Sequence, residues 1–159
     1  MNNETVQMII TLLGGLALFI FGMNFMSDGL QRSAGDKMRS ILAMLTRNPV
    51  LGAVAGALVT AVLQSSSATT VMVIGFVSAG LMKLPQAISV VLGANIGTTI
   101  TAQLIAFDIG DYAWLFVATG FIMYFFFKKK ELISYIGQTV FGFGVLFVGI
   151  NIMGDTMKP

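Results

Sequence analysis

The chain has 159 residues, of which 56% are hydrophobic and only 10% charged, and its mean hydropathy is +0.88. Soluble domains carry about 25% charged residues, so this composition excludes an ordinary soluble fold and points to a membrane protein. Cysteine and histidine are both absent, which removes disulfides, thiolate metal sites and the commonest general base, and a net charge of +2 is too small to suggest nucleic acid as a partner.

Met1-Asn2-Asn3-Glu4 lacks the basic start of a signal peptide, and no small-residue cleavage site closes the apolar run that follows. That run, Val6 to Met26, is long enough to cross about 30 Å of hydrocarbon and is expected to be a mature helix, extending over 6–30. Gly15, Gly22 and Gly29 recur every seven residues and mark a smooth face for another helix. Asn24 near its far end is expected to make an interhelical hydrogen bond. Residues 31–48 alternate Arg32, Asp36, Lys37, Arg39 and Arg47 with Met38, Ile41, Leu42, Met44 and Leu45, the pattern of a separate amphipathic helix lying at the membrane interface. Asn48-Pro49 then reads as a cap with proline at the first helical position.

From 49 to 81 the chain is apolar and free of charge, interrupted only at Gln64-Ser65-Ser66-Ser67. A straight helix of this length would measure about 50 Å, too long for one crossing, while two crossings would need about 20 residues each. The expected solution is a re-entrant hairpin that turns at the polar stretch and returns to its own side. Gly93-Ala94-Asn95-Ile96-Gly97-Thr98-Thr99 interrupts the next span, 86–107, and suggests a broken helix. Asp108 and Asp111 follow in a short loop. Residues 112–127 form another crossing with Tyr112, Trp114 and Tyr124 towards its ends, stopped by Lys128-Lys129-Lys130, and a last helix begins at about 133.

Charge orients this arrangement. With a returning hairpin, Arg32, Lys37, Arg39, Arg47, Lys83 and Lys128 to Lys130 share one face, leaving only Lys158 opposite. The basic face is expected to be cytoplasmic, with both termini of the segment outside the inner membrane.

Gly15 to Asp28 aligns without gaps on Gly142 to Asp155, with Gly15/Gly142, Gly22/Gly149, Asn24/Asn151, Met26/Met153 and Asp28/Asp155 identical. Three crossings separate the copies, so the second starts from the opposite side: an inverted repeat, the plan of many secondary transporters. The expected fold is therefore all-α and multi-pass, with residues 1–132 as a first repeat and 133–159 as the first helix of a second. A second repeat, or another copy of the chain, is expected to complete the site.

Six hydroxyls and one amide fall between Thr60 and Thr70. In lipid such a cluster is costly unless it is paired or binds something. Thr60 and Thr119 are expected simply to bond back to the preceding turn. Ser65, Ser66, Ser67, Thr69, Thr70, Asn95, Thr98 and Thr99 offer neutral oxygens suited to a hard cation such as Na⁺, whereas hydroxyl donors, the Gln64 amide and the dipole of a following helix suit an oxyanion. Serine nucleophile chemistry is excluded, because no base is available: there is no histidine, and every lysine sits at an interface.

Gln64-Ser65-Ser66-Ser67, followed about 30 residues later by Gly93-Ala94-Asn95-Ile96-Gly97-Thr98-Thr99, resembles the bacterial branch of the type II sodium–phosphate cotransporter family across nearly the whole chain. The resemblance implies sodium-coupled symport of inorganic phosphate by alternating access in a lipid membrane. It implies that Gln64, Ser65, Ser66 and Ser67 line the phosphate site and that Ser66, Ser67, Thr70, Asn95, Thr98 and Thr99 serve Na⁺. The alternatives are a non-transporting half-module that assembles with a partner chain, and symport of another small oxyanion.

Overall fold

In a computed structural model, residues 3–45, 48–106 and 110–158 are described, and every regular element among them is helical. The elements are α1 (Asn3–Leu45), α2 (Pro49–Leu63), α3 (Ser66–Ser78), α4 (Leu84–Ala106), a 3₁₀ turn (Gly110–Tyr112), α5 (Ala113–Phe126) and α6 (Glu131–Met157). Arg47, used above to place charge, and Asp108, expected in a short loop, lie outside the described residues.

Two of the expected breaks are absent. Residues 6–30 and 31–48 were expected as separate helices, but α1 is one helix through Leu45. The stretch Ser27 to Ser33 contains no proline, and a single interior glycine costs only about 1 kcal/mol. α4 is likewise unbroken from Leu84 to Ala106, which corrects the expectation of a broken helix at Gly93 to Thr99. Those glycines are needed for a different reason. A Cβ at Gly93 would lie 1.8 Å from the Ala53 carbonyl oxygen, and one at Gly97 would lie 2.4 Å from that of Ala57. Glycine four residues apart on one face allows the α4 backbone to touch α2.

The chain divides into two compact units, one holding α1 as far as Gly29 with the 3₁₀ turn, α5 and α6, the other holding α1 from Leu30 with α2, α3 and α4.

In the second unit the local signals are explicit. Asn48 Oδ1 accepts from the Val50 N–H at 2.9 Å and Pro49 opens α2, as the sequence predicts. α3 ends in a Schellman turn: Gly80 takes φ +71°, its N–H donates to the Val77 carbonyl, and the Leu81 N–H donates to that of Phe76. Gln86 then reaches back to accept from the Lys83 N–H at 2.8 Å, one half of a capping box for α4. Gly52 meets Ser89, Ala53 meets Gly93 and Ala57 meets Gly97, so α2 and α4 run parallel. α3 therefore carries the chain back to the end at which α2 began. At about 1.5 Å per residue, its 13 residues and the 15 of α2 each fall short of a 30 Å crossing. Leu42, Val59, Leu63, Val73, Met82 and Val90 form the buried core of this unit.

In the first unit α1 and α6 pack antiparallel along the seven-residue glycine series. Gly15 faces Gly149, Gly22 faces Gly142, and Gly29 faces Tyr135 and Thr139. Gln138 is buried and donates to the Phe25 carbonyl at 3.1 Å, while the Phe25 ring meets Tyr124 and Phe141 edge-on. Asn24 is exposed, whereas its repeat counterpart Asn151 donates to the Gly110 carbonyl at 2.9 Å. Among the described residues two stretches, Asn3–Ala34 and Glu131–Met157, are long and apolar enough to cross a membrane. α5, expected as a crossing over 112–127, has only 14 helical residues.

Candidate functional site

The site is built on the turn between α2 and α3. Gln64 closes α2 in the left-handed region, φ 54° and ψ 26°, and is the one non-glycine residue with positive φ among those described. A side chain in that region costs roughly 1–2 kcal/mol, and strain of this kind concentrates where a backbone must be aimed. The Gln64 N–H is satisfied by the Thr60 carbonyl at 2.7 Å, and its Nε2 donates to the Ala61 carbonyl. Gln31, from α1, donates to the Leu63 carbonyl at 3.2 Å and so satisfies one of the carbonyls left open at the end of α2.

The next residue starts the second arm. Ser65 is extended and its Oγ accepts from the Ala68 N–H at 3.1 Å, a serine N-cap. Ser66 and Ser67 occupy the first turn of α3, half-buried and exposed respectively. Among the described residues neither Ser66 Oγ nor Ser67 Oγ is engaged in a hydrogen bond. Two hydroxyls, with the positive end of a helix dipole behind them, are thus presented together beside Gln64.

Below the turn the two arms are pinned to each other. Thr60 Oγ1 donates to Thr69 Oγ1 at 2.9 Å, and Thr69 Oγ1 donates to the Ser65 carbonyl at 3.2 Å. Both threonines are fully buried. The expectation that Thr60 bonds back to its own helix is therefore corrected. Its position under the turn offers a partner on the other arm, and bonding across the hairpin fixes the geometry of Ser65. Thr119 does bond back, to the Leu115 carbonyl at 2.8 Å.

The residues assigned to Na⁺ are distributed differently. Thr70 Oγ1 donates to the Ser66 carbonyl at 2.8 Å, Thr98 Oγ1 to that of Ala94 at 3.1 Å, and Thr99 Oγ1 to that of Ile96 at 2.7 Å. With the proton so committed, each hydroxyl still has lone pairs, which suit a cation and not an anion. Asn95, Thr98 and Thr99 lie on exposed faces of α4, away from the glycine stripe that meets α2. They are not gathered around the serines.

A cleft of about 860 Å³ also reaches Ser67, lined on the α1 side by Gln31, Arg32 and Asp36. Sequence periodicity assigns those three to a polar face and gives no sign that they approach the serines.

Two short helical arms meet at a turn that presents two uncommitted hydroxyls, an arrangement that offers hydrogen-bond donors to a small ligand. The chain belongs to the Na⁺/Pi-cotransporter family, whose model matches residues 18–155, and it is accordingly a membrane protein.

Among its relatives it is 30% identical over 151 residues to YjbB of Escherichia coli O157:H7, a protein named for inorganic phosphate export, covering 95% of this chain and 28% of that one. It is 33% identical over 136 residues to YqeW of Bacillus subtilis, covering 86% of this chain and 44% of the relative. The human sodium-dependent phosphate transport protein 2B is 38% identical over 111 residues, 68% of this chain and 16% of that one. The chain thus spans a little over a quarter of the length of YjbB. No solved structure matches it.

Proposed function

We propose that this chain takes part in sodium-coupled movement of inorganic phosphate across the cytoplasmic membrane, with the turn from Gln64 to Ser67 holding the anion. The observation that carries this reading is the pair of hydroxyls at Ser66 and Ser67, uncommitted within the described residues and set at the start of α3 by the left-handed Gln64 and the capping Ser65. Na⁺ takes the lone pairs of Thr70, whose proton is already donated, together with Ser66 and Ser67 at the turn, while Asn95, Thr98 and Thr99 offer oxygens at a separate place on α4. Bringing opposite charges together lowers the desolvation cost of each, which is the physical basis of coupling.

The hairpin is re-entrant in this proposal. Both arms are too short to span, and the parallel course of α2 and α4 returns the chain to the end from which it entered. The glycine pairs between α1 and α6 support an inverted repeat dividing near 132/133. Gly15 meets the counterpart of Gly22, and Gly22 meets the counterpart of Gly15, the exchange expected of a local two-fold axis. Alternating access would then require a second hairpin, from a second repeat or another copy, to close the site.

The name of YjbB favours a second reading, in which net movement is outward. Reconstituted vesicles loaded with labelled phosphate distinguish the two. An inward Na⁺ gradient that drives accumulation supports symport, Na⁺-independent efflux supports export, and no phosphate movement in either direction leaves the non-transporting half-module.

A further inference from the structure

The Arg32–Asp36 pair on α1 has no role in the site described so far. These two side chains lie one helical turn apart and line the same cleft as Gln31 and Ser67, and they are the charged residues of its described lining. A carboxylate facing an anion site would oppose binding of any fully deprotonated anion. It favours one kind of anion, however: a tetrahedral oxyanion that keeps a proton can donate it to the carboxylate while its other oxygens accept from the guanidinium and from the Ser67 hydroxyl.

From this we infer that Arg32 and Asp36 make the cleft selective for protonated tetrahedral oxyanions, phosphate and arsenate, against sulfate. Near neutral pH inorganic phosphate and arsenate each carry at least one proton and sulfate carries none. A site built to hydrogen-bond a hydroxyl rejects the analogue that lacks it, because its acceptor is then left facing bare negative charge. Hydroxyls alone cannot make that distinction. This inference rests on the phosphate reading above and deepens it, since it names the residue that would set anion specificity.

The test is competition for labelled phosphate bound to the whole chain in phosphatidylcholine vesicles, whose phosphodiester headgroups carry no such proton. In the unaltered chain arsenate displaces phosphate, and a hundredfold excess of sulfate does not. In Asp36→Asn sulfate competes, and the preference for phosphate over sulfate falls at least about tenfold. Arg32→Gln weakens binding of phosphate and arsenate together and leaves sulfate excluded. Asp36→Ala serves as a second variant, and far-UV circular dichroism confirms that each retains its helices. Sulfate exclusion unchanged in both Asp36 variants would overturn the inference, as would free competition by sulfate in the unaltered chain. Failure of the unaltered chain to bind phosphate would overturn the parent reading, and the inference with it.

Discussion

Gly22 and Gly142 approach so closely that a methyl group on either would lie within about 3 Å of the other's carbonyl: 2.6 Å from Gly142 O in one case and 2.7 Å from Gly22 O in the other. The near-equality reflects the reciprocal packing of α1 on α6, in which the two glycines of one matched stretch face those of the other in reverse order. Overpacking a fixed contact costs about 1–3 kcal/mol. Gly22→Ala and Gly142→Ala are each expected to destabilise by that amount, and the double variant by less than the sum, because the first methyl already separates the helices. Thermal unfolding in detergent measures all three.

Gly93 distinguishes a packing glycine from an unwinding one. If it served to unwind α4, alanine there would strengthen the helix. With a Cβ placed 1.8 Å from the Ala53 carbonyl, Gly93→Ala must instead push α2 and α4 apart. The expected outcome is a loss of about 3 kcal/mol or more, with Gly56→Ala behaving alike because its Cβ would lie 2.0 Å from the Val90 carbonyl. Gly75→Ala, which meets nothing within 4 Å, should be neutral or slightly stabilising.

Thr60 and Thr69 form a buried hydroxyl pair that links the arms under the turn. Thr60→Val keeps the shape and leaves Thr69 without its donor, at a cost of about 1–3 kcal/mol. Thr60→Val with Thr69→Val together should cost less than either single change suggests. Because Thr69 also bonds the Ser65 carbonyl, phosphate affinity is expected to fall with Thr69→Val even where the chain remains folded, which equilibrium binding would show.

The absence of native cysteine makes the orientation directly measurable. Single cysteines at Leu81 and Glu131 are expected to react with an impermeant maleimide from the cytoplasmic side, and one at Asp155 from the opposite side. All three positions are exposed. Labelling of Leu81 and Asp155 from the same side would contradict a hairpin that returns to its own face.

Much of this was legible in the residues. Asn48-Pro49 announced the start of α2, the polar stretch announced its end, and the arithmetic of length required a reversal at Gln64. Gly15, Gly22 and Gly29 announced a close helix contact. What glycine could not announce was its purpose: at Gly93 and Gly97 the same residue fits an unwound backbone or a backbone touching α2, and only the partner helix decides. Thr60 failed for a related reason. A buried threonine bonds its own turn unless a hydroxyl on another element is within reach, and that reach depends on folding. Arg32 and Asp36 read as the polar side of an interfacial helix because periodicity reports which residues share a side and is silent on what that side meets.

In the proposed function, hydroxyls at the α2–α3 turn bind phosphate together with Na⁺. The most direct measurement is equilibrium binding of labelled phosphate to the reconstituted chain, with Na⁺ present or replaced by a large organic cation, for the unaltered protein and for Ser66→Ala and Ser67→Ala. The expected outcome is Na⁺-dependent binding that weakens roughly 10- to 100-fold with either substitution, the loss of one hydrogen bond to a charged group. Phosphate binding that is indifferent to Na⁺ and to both serines would contradict it.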